Sequence, residues 1–132
     1  MAHVLIIDDH LDQCRPVVRL LQISGHEAEC VESGLQGLAW LHAANAQQRL
    51  PDVVICDAMM PDLDGSEVLR RIRQGLAGVD TTLPVVMYTA VAEAAYHDHL
   101  RSLGADDVWV KTRVDVQQVL GFVTRYDRTT AD

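Results

Sequence analysis

No apolar run in this chain lasts more than four or five residues, far short of the roughly 20 that a membrane-crossing helix needs. The start, Met1-Ala2-His3, leads into a strand-like run with neither a basic segment nor a long apolar one, so no secretory signal is expected. Cysteines are few. Cys14, Cys30 and Cys56 show no CxxC or other metal spacing. Cys14 and Cys56 fall at apolar positions and are expected to be small core residues. An odd count without a signal suits a reducing, cytoplasmic setting. Positive charge is scarce: 11 Lys and Arg stand against 19 Asp and Glu, a net −8. That balance argues against direct nucleic-acid binding, which needs a basic footprint. The six histidines are scattered. His97 and His99 are two apart and share no helix face, so they suggest no metal site. Low-complexity segments and internal repeats are absent.

What is present is enough for one globular domain. The chain has 132 residues, 48% hydrophobic and 23% charged, within the ordinary range of a soluble single domain. Strand-like runs recur at Val4–Ile7, Glu27–Val31, Val53–Asp57, Leu83–Tyr88 and Asp107–Val110. Segments of helical period lie between them. Cys14, Val17, Val18 and Leu21 form the first, with Pro16 expected near its opening turn and Gly25 as its stop. Leu35, Leu38 and Leu41 mark the second, opened by a Ser33…Gln36 capping box. The third carries Val68, Leu69 and Ile72 behind Asp64…Glu67, a second such box. Tyr96, Leu100 and Leu103 make the fourth, closed by Gly104, and Val116, Val119, Leu120 and Val123 the fifth. Five βα units imply an α/β fold with a parallel sheet and helices on both faces. The polar second strand should be an edge, and the Gly75–Thr82 loop is expected to be mobile.

Polar groups stand where these strands stop: Asp8-Asp9 after the first, Asp57 on the third, Thr89-Ala90 after the fourth and Lys111 after the fifth. In an open parallel sheet the ligand crevice lies beyond the carboxyl ends of the strands. Three crowded carboxylates repel one another, and burial makes ionising them harder still. A hard divalent cation resolves the conflict, and Mg2+ commonly joins one or two carboxylates to a phosphate. Carboxylates are nucleophiles in phosphoryl transfer, and Lys111 and Mg2+ would offset the charge on the transferring group.

With these residues the chain resembles the receiver domains of two-component response regulators. The resemblance rests on Asp8-Asp9, the segment Asp57-Ala-Met-Met-Pro-Asp-Leu-Asp-Gly65, the Thr89-Ala90 pair, and Gly104-Ala105-Asp106 leading to Lys111. It implies a flavodoxin-like (βα)5 fold of strand order 2-1-3-4-5 over residues 1–126, with a short tail at 127–132 of which Arg128–Asp132 is expected to fray. It implies phosphorylation of Asp57 by a histidine kinase or histidine phosphotransfer protein, or by a small phosphodonor. Asp9 would bind Mg2+ directly, Asp8 mostly through water, and Met59 through its backbone carbonyl, alongside Asp57. Thr89, with Ala90 beside it, and Lys111 would form the switch. The resemblance implies a phospho-acceptor switch, not a turnover enzyme, acting on an unknown protein target without membrane insertion. No output domain fits in the chain, so a stand-alone receiver is expected. The alternatives are a receiver cut from a longer regulator or hybrid kinase, a docking module that only resembles a receiver, and a metal-dependent phosphatase with Asp57 as nucleophile. Phosphatases of the haloacid dehalogenase type want an acid two residues on, where this chain has Met59.

Two positions depart from the family pattern. The aromatic switch residue expected three before the lysine is Val108, and the proline expected after it is Thr112. A cis bond before a residue that is not proline costs roughly 2.5–4 kcal/mol. Strand alternation sends Trp109 to the face opposite Val108. Output is therefore expected to travel through the Thr89–Glu93 loop and the fourth helix, around Ala90–Tyr96, or through Lys111–Val114. With apolar Met59 and Val91 flanking the route of a hydrolytic water, the phosphorylated state is expected to be long-lived.

Overall fold

The computed structural model describes residues 1–75 and 77–127. Strands and helices alternate as β1 (His3–Ile7), α1 (Leu11–Ile23), β2 (Glu27–Val31), α2 (Gly34–Ala46), β3 (Val53–Asp57), α3 (Gly65–Arg73), β4 (Val85–Thr89), α4 (Ala94–Ser102), β5 (Asp107–Val110) and α5 (Val116–Arg125). The strands pair in parallel in the order β2-β1-β3-β4-β5. This is the flavodoxin-like (βα)5 arrangement that the alternation and the resemblance imply.

Strand alternation divides the core in two. Leu5, Ile7, Val54, Cys56, Val85, Met87 and Val108 face one side, where Leu41, Leu69, Ile72 and Leu100 cover them from α2, α3 and α4. Val4, Ile6, Val53, Ile55, Val86 and Trp109 face the other, under Leu21 of α1 and Val119, Phe122 and Val123 of α5. Removing a Leu or Ile side chain from water contributes about 1.5–3 kcal/mol, so these layers hold the strand ends in register. Edge strand β2 turns Glu27 and Glu29 to solvent and buries Ala28.

Local chemistry sets the helix ends. Ser33 Oγ accepts the Gln36 N–H at 3.1 Å, and Gln36 Oε1 accepts the N–H of Glu32 at 2.9 Å, so the first expected box forms with its return bond one residue early. The Asp64…Glu67 box does not form. Asp64 makes no side-chain cap bond, and the Glu67 carboxylate is engaged by Arg70 and Arg71 one turn along the same helix. Pro16 lies in the second turn of α1, five residues after its start at Leu11. Leu35 and Val116, expected on the apolar faces of their helices, are 56% and 48% exposed. Both sit in the first turns of their helices. β4 begins at Val85, after Pro84, and extends to Thr89, whose C=O accepts the Lys111 N–H at 2.8 Å.

The cysteines also depart from expectation. Cys14 is buried in the core, as expected, but it is not a free thiol: it forms a disulfide with Cys30, their Cα atoms 6.5 Å apart. Cys56 is free and buried, as expected. In the loop expected to be mobile, Ala77 and Val79 are buried, Asn45 Nδ2 donates to the Gly78 carbonyl at 2.9 Å, and Arg73 donates to the carbonyl of Thr81 at 2.8 Å. Every peptide bond of the described residues is trans, including Lys111–Thr112. The tail expected at Arg128–Asp132 lies outside the described residues.

Candidate functional site

Asp57 ends β3 with its side chain 4% exposed. Its Oδ2 accepts a hydrogen bond from Lys111 Nζ at 3.0 Å, and its Oδ1 accepts the Met59 N–H at 3.2 Å. Burial holds the Asp57 carboxyl above the ordinary carboxylate range. The bonds from Lys111 and Met59 pull it down, and the charge of Asp8 pushes it up again. The backbone turns sharply here, and a glycine permits it. A Cβ on Gly65 would stand 1.9 Å from the Asp57 carbonyl oxygen, while the Gly65 N–H donates to the Ala58 carbonyl at 3.0 Å. Any side chain at 65 would push the end of β3 out of place.

Asp8 is buried just past β1. Its N–H donates to the Val31 carbonyl at 3.0 Å, and its Oδ1 accepts the His10 N–H at 2.9 Å. Asp9 Oδ1 is buried and has no hydrogen-bond partner among the described residues. His10 Nδ1 stands 3.1 Å away without forming such a bond. Asp8, Asp9, His10 and Asp57 each offer a ligand atom, and these atoms lie within 4.8 Å of one another. Opposite ligands of an octahedral Mg2+ are about 4.2 Å apart, twice the metal–oxygen distance. An orphaned carboxylate oxygen inside a cluster of that span is what a cation site of hard oxygen donors requires, so the residues present fit the ion.

Lys111 reaches this cluster from the end of β5. It also donates to Gln13 Oε1 at 3.2 Å and lies 5.3 Å from the Tyr88 ring centroid. Thr89 is buried at the end of β4, with its Oγ1 accepting the Val91 N–H at 3.1 Å. Ala90 is exposed. Met59, 53% exposed, holds the position two past Asp57 in place of an acid. Asp106 accepts the Val85 N–H at 2.8 Å and a bond from Arg73 at 2.9 Å. It thereby ties the turn before β5 to the start of β4.

The structure brings Asp8, Asp9, Asp57 and Lys111 into one cluster. Thr89 ends the strand next to β3, and Val91 engages its hydroxyl. Sequence reasoning missed His10 and Gln13. The adjacency of His10 to Asp8-Asp9 was the available signal for the first; nothing local marks Gln13.

The family model described as the response regulator receiver domain matches residues 4–121. Among curated proteins, the chain is 36% identical over 108 residues to the probable transcriptional regulator ycf27 of Guillardia theta, covering 82% of this chain and 39% of that protein. It is 32% identical over 130 residues to the DNA-binding dual master transcriptional regulator RpaA of Synechocystis, covering 98% and 51%. The chain thus spans about half or less of the length of these relatives. Among solved structures, it is similar to the Vibrio cholerae chemotaxis protein CheY4, with a TM-score of 0.77, 28% identity and coverage of 96% and 98%. The Francisella response regulator 1452 receiver domain matches in fold, with a TM-score of 0.83, 21% identity and coverage of 99% and 100%. Among the described residues no helix is long and apolar enough to cross a membrane.

Proposed function

The chain belongs to the response regulator receiver domain family, and from that premise we propose that Asp57 is its phospho-acceptor, charged from the phosphohistidine of a histidine kinase or histidine phosphotransfer protein. The domain is a phospho-acceptor switch of a two-component system, not a turnover enzyme. The observation that most supports Asp57 is its buried contact with Lys111 at 3.0 Å beside the clustered Asp8 and Asp9.

In the proposed reaction a carboxylate oxygen of Asp57 attacks phosphorus. The O–P bond forms as the P–N bond of the donor breaks, and the electron pair leaves with the imidazole. Lys111 holds the oxygen that will carry the phosphoryl group and follows the growing negative charge, a role suited to a compact ammonium. Mg2+ would be held by Asp8, Asp9, Asp57 and the Met59 carbonyl, and would supply positive charge against the three carboxylates and the transferring group. Gln13 orients the Lys111 ammonium from the α1 side. Thr89 donates its hydroxyl hydrogen to a phosphoryl oxygen, and the small side chain of Ala90 leaves room beside it.

Incubation with acetyl phosphate and Mg2+ should add one phosphoryl group, observed by mass spectrometry. Asp57→Asn, nearly isosteric but not nucleophilic, should add none. Uptake by the Asn variant at the parent rate would place the acceptor elsewhere.

A further inference from the structure

Val108 leaves β5 without a ring where the family pattern has its switch aromatic, yet the loop after Thr89 is not untethered. Val91 stands between two polar contacts. Its N–H donates to Thr89 Oγ1 at 3.1 Å, and its carbonyl lies 2.6 Å from Nε2 of His97 on α4. A carbonyl oxygen only accepts, so His97 Nε2 carries the hydrogen. Among the described residues no other side-chain hydrogen bond joins α4 to residues 90–93, and Glu93 at the N-cap makes no side-chain cap bond. The body of α4 is seated by buried Leu100 and partly buried Tyr96. Among the described residues the His97 ring is therefore the side-chain link between a seated helix and the loop that follows the switch hydroxyl.

We infer that His97 is the positioning residue of the switch, a latch on Val91 that opens when Thr89 moves to a phosphoryl group on Asp57. The inference rests on the phospho-acceptor reading of Asp57. If Thr89 swings inward alone, the partly buried N–H of Val91 loses its partner, and an unpaired donor is costly to leave. Val91 follows the hydroxyl instead, and its carbonyl withdraws from His97. The event on β4 is thus felt at the start of α4 without any rotamer change on β5. Because the latch holds the resting arrangement, a phosphoryl group or its mimic works against it. Removing the latch favours the activated arrangement by its differential stabilisation of the two states.

The test uses the full chain with Mg2+ and beryllofluoride. In the parent, the mimic should shift amides of Ala92–Asp98 and change the His97 ring pattern in long-range proton–nitrogen spectra from the Nε2–H form of the resting state. His97→Ala without the mimic should already place those amides toward their mimic-bound positions. It should bind beryllofluoride about two- to tenfold more tightly, the equivalent of one net hydrogen bond. His97→Gln, which keeps an N–H donor at similar reach, should restore parent behaviour. An unchanged His97 ring alongside clear shifts at Ala58 and Met59 would overturn the latch alone. So would parent-like shifts and affinity in His97→Ala. Absence of any shift at Ala58 and Met59 in the parent would overturn the Asp57 reading and the latch with it.

Discussion

As the proposed nucleophile Asp57 must be an anion, yet it is buried beside another buried carboxylate at the end of a strand. Burial raises its proton affinity in the folded state, with Lys111 and the Met59 N–H pulling the other way. A carboxyl whose folded pKa is raised adds its stability below the unfolded pKa and loses it as pH rises through the folded one. In metal-free solution Asp57→Asn should therefore melt higher than the parent at neutral pH. The gap should close as pH falls through the carboxylate range. Thermal denaturation across that range measures it, and an Asn variant less stable than the parent at neutral pH would refute it. The acids and Lys111 were legible in sequence because parallel strands end on one rim, so a polar residue after each apolar run is placed by topology alone. Gln13 was not, since its bond to Lys111 spans 98 residues. Nor was the role of His97, which depends on the path of one carbonyl.

Helices and strands of this chain follow their apolar period, and they miss where side chains have a better partner. Glu67 left its box for two arginines, a choice that local pattern cannot rank. The Cys14–Cys30 pairing has a simple origin in element geometry. Gly25, at φ +89°, turns α1 back onto β2. The ten helical residues Cys14–Ile23 rise about 15 Å, and the four strand residues Glu27–Cys30 about 13 Å. The two cysteines therefore stand level on facing elements, and with both on the inner face a bond follows. Its closed loop, with a sequence separation of 16, should contribute about 3 kcal/mol by restricting the unfolded chain. Denaturant midpoints with and without reductant should differ by that amount, while Cys14→Ser should be insensitive to reductant. Equal midpoints for the parent in both conditions would show that the bridge adds no stability. The bridge also straps α1 to β2 next to Val31, whose carbonyl holds Asp8.

Across the whole molecule, five βα units and their polarity pattern were enough to read the sheet class and the edge position of β2. The assignment of α1 and α5 to one face and α2, α3 and α4 to the other follows from right-handed crossovers on the observed strand order. The acid cluster is a repulsion that the fold carries until a cation joins it. Mg2+ at a hundred times its dissociation constant should raise stability by about 2.7 kcal/mol, read as an upward shift of the unfolding transition. Asp9→Asn should lose most of that gain and Lys111→Ala should keep it, since an ammonium is no ligand for a cation. Equal loss in both variants would contradict the division of roles. The edge of the sheet has a consequence for self-association. Open strand edges are templates on which another chain can add a strand, and β2 presents Glu27 and Glu29 to solvent there. A second copy laying its own β2 alongside would bring carboxylates together at strand spacing, about 4.8 Å, so charge limits growth of the sheet. Replacing both with threonine keeps strand propensity and removes that repulsion. Light scattering of Glu27→Thr, Glu29→Thr should then show association that grows with concentration, and a variant as monodisperse as the parent would mean that something other than charge guards this edge.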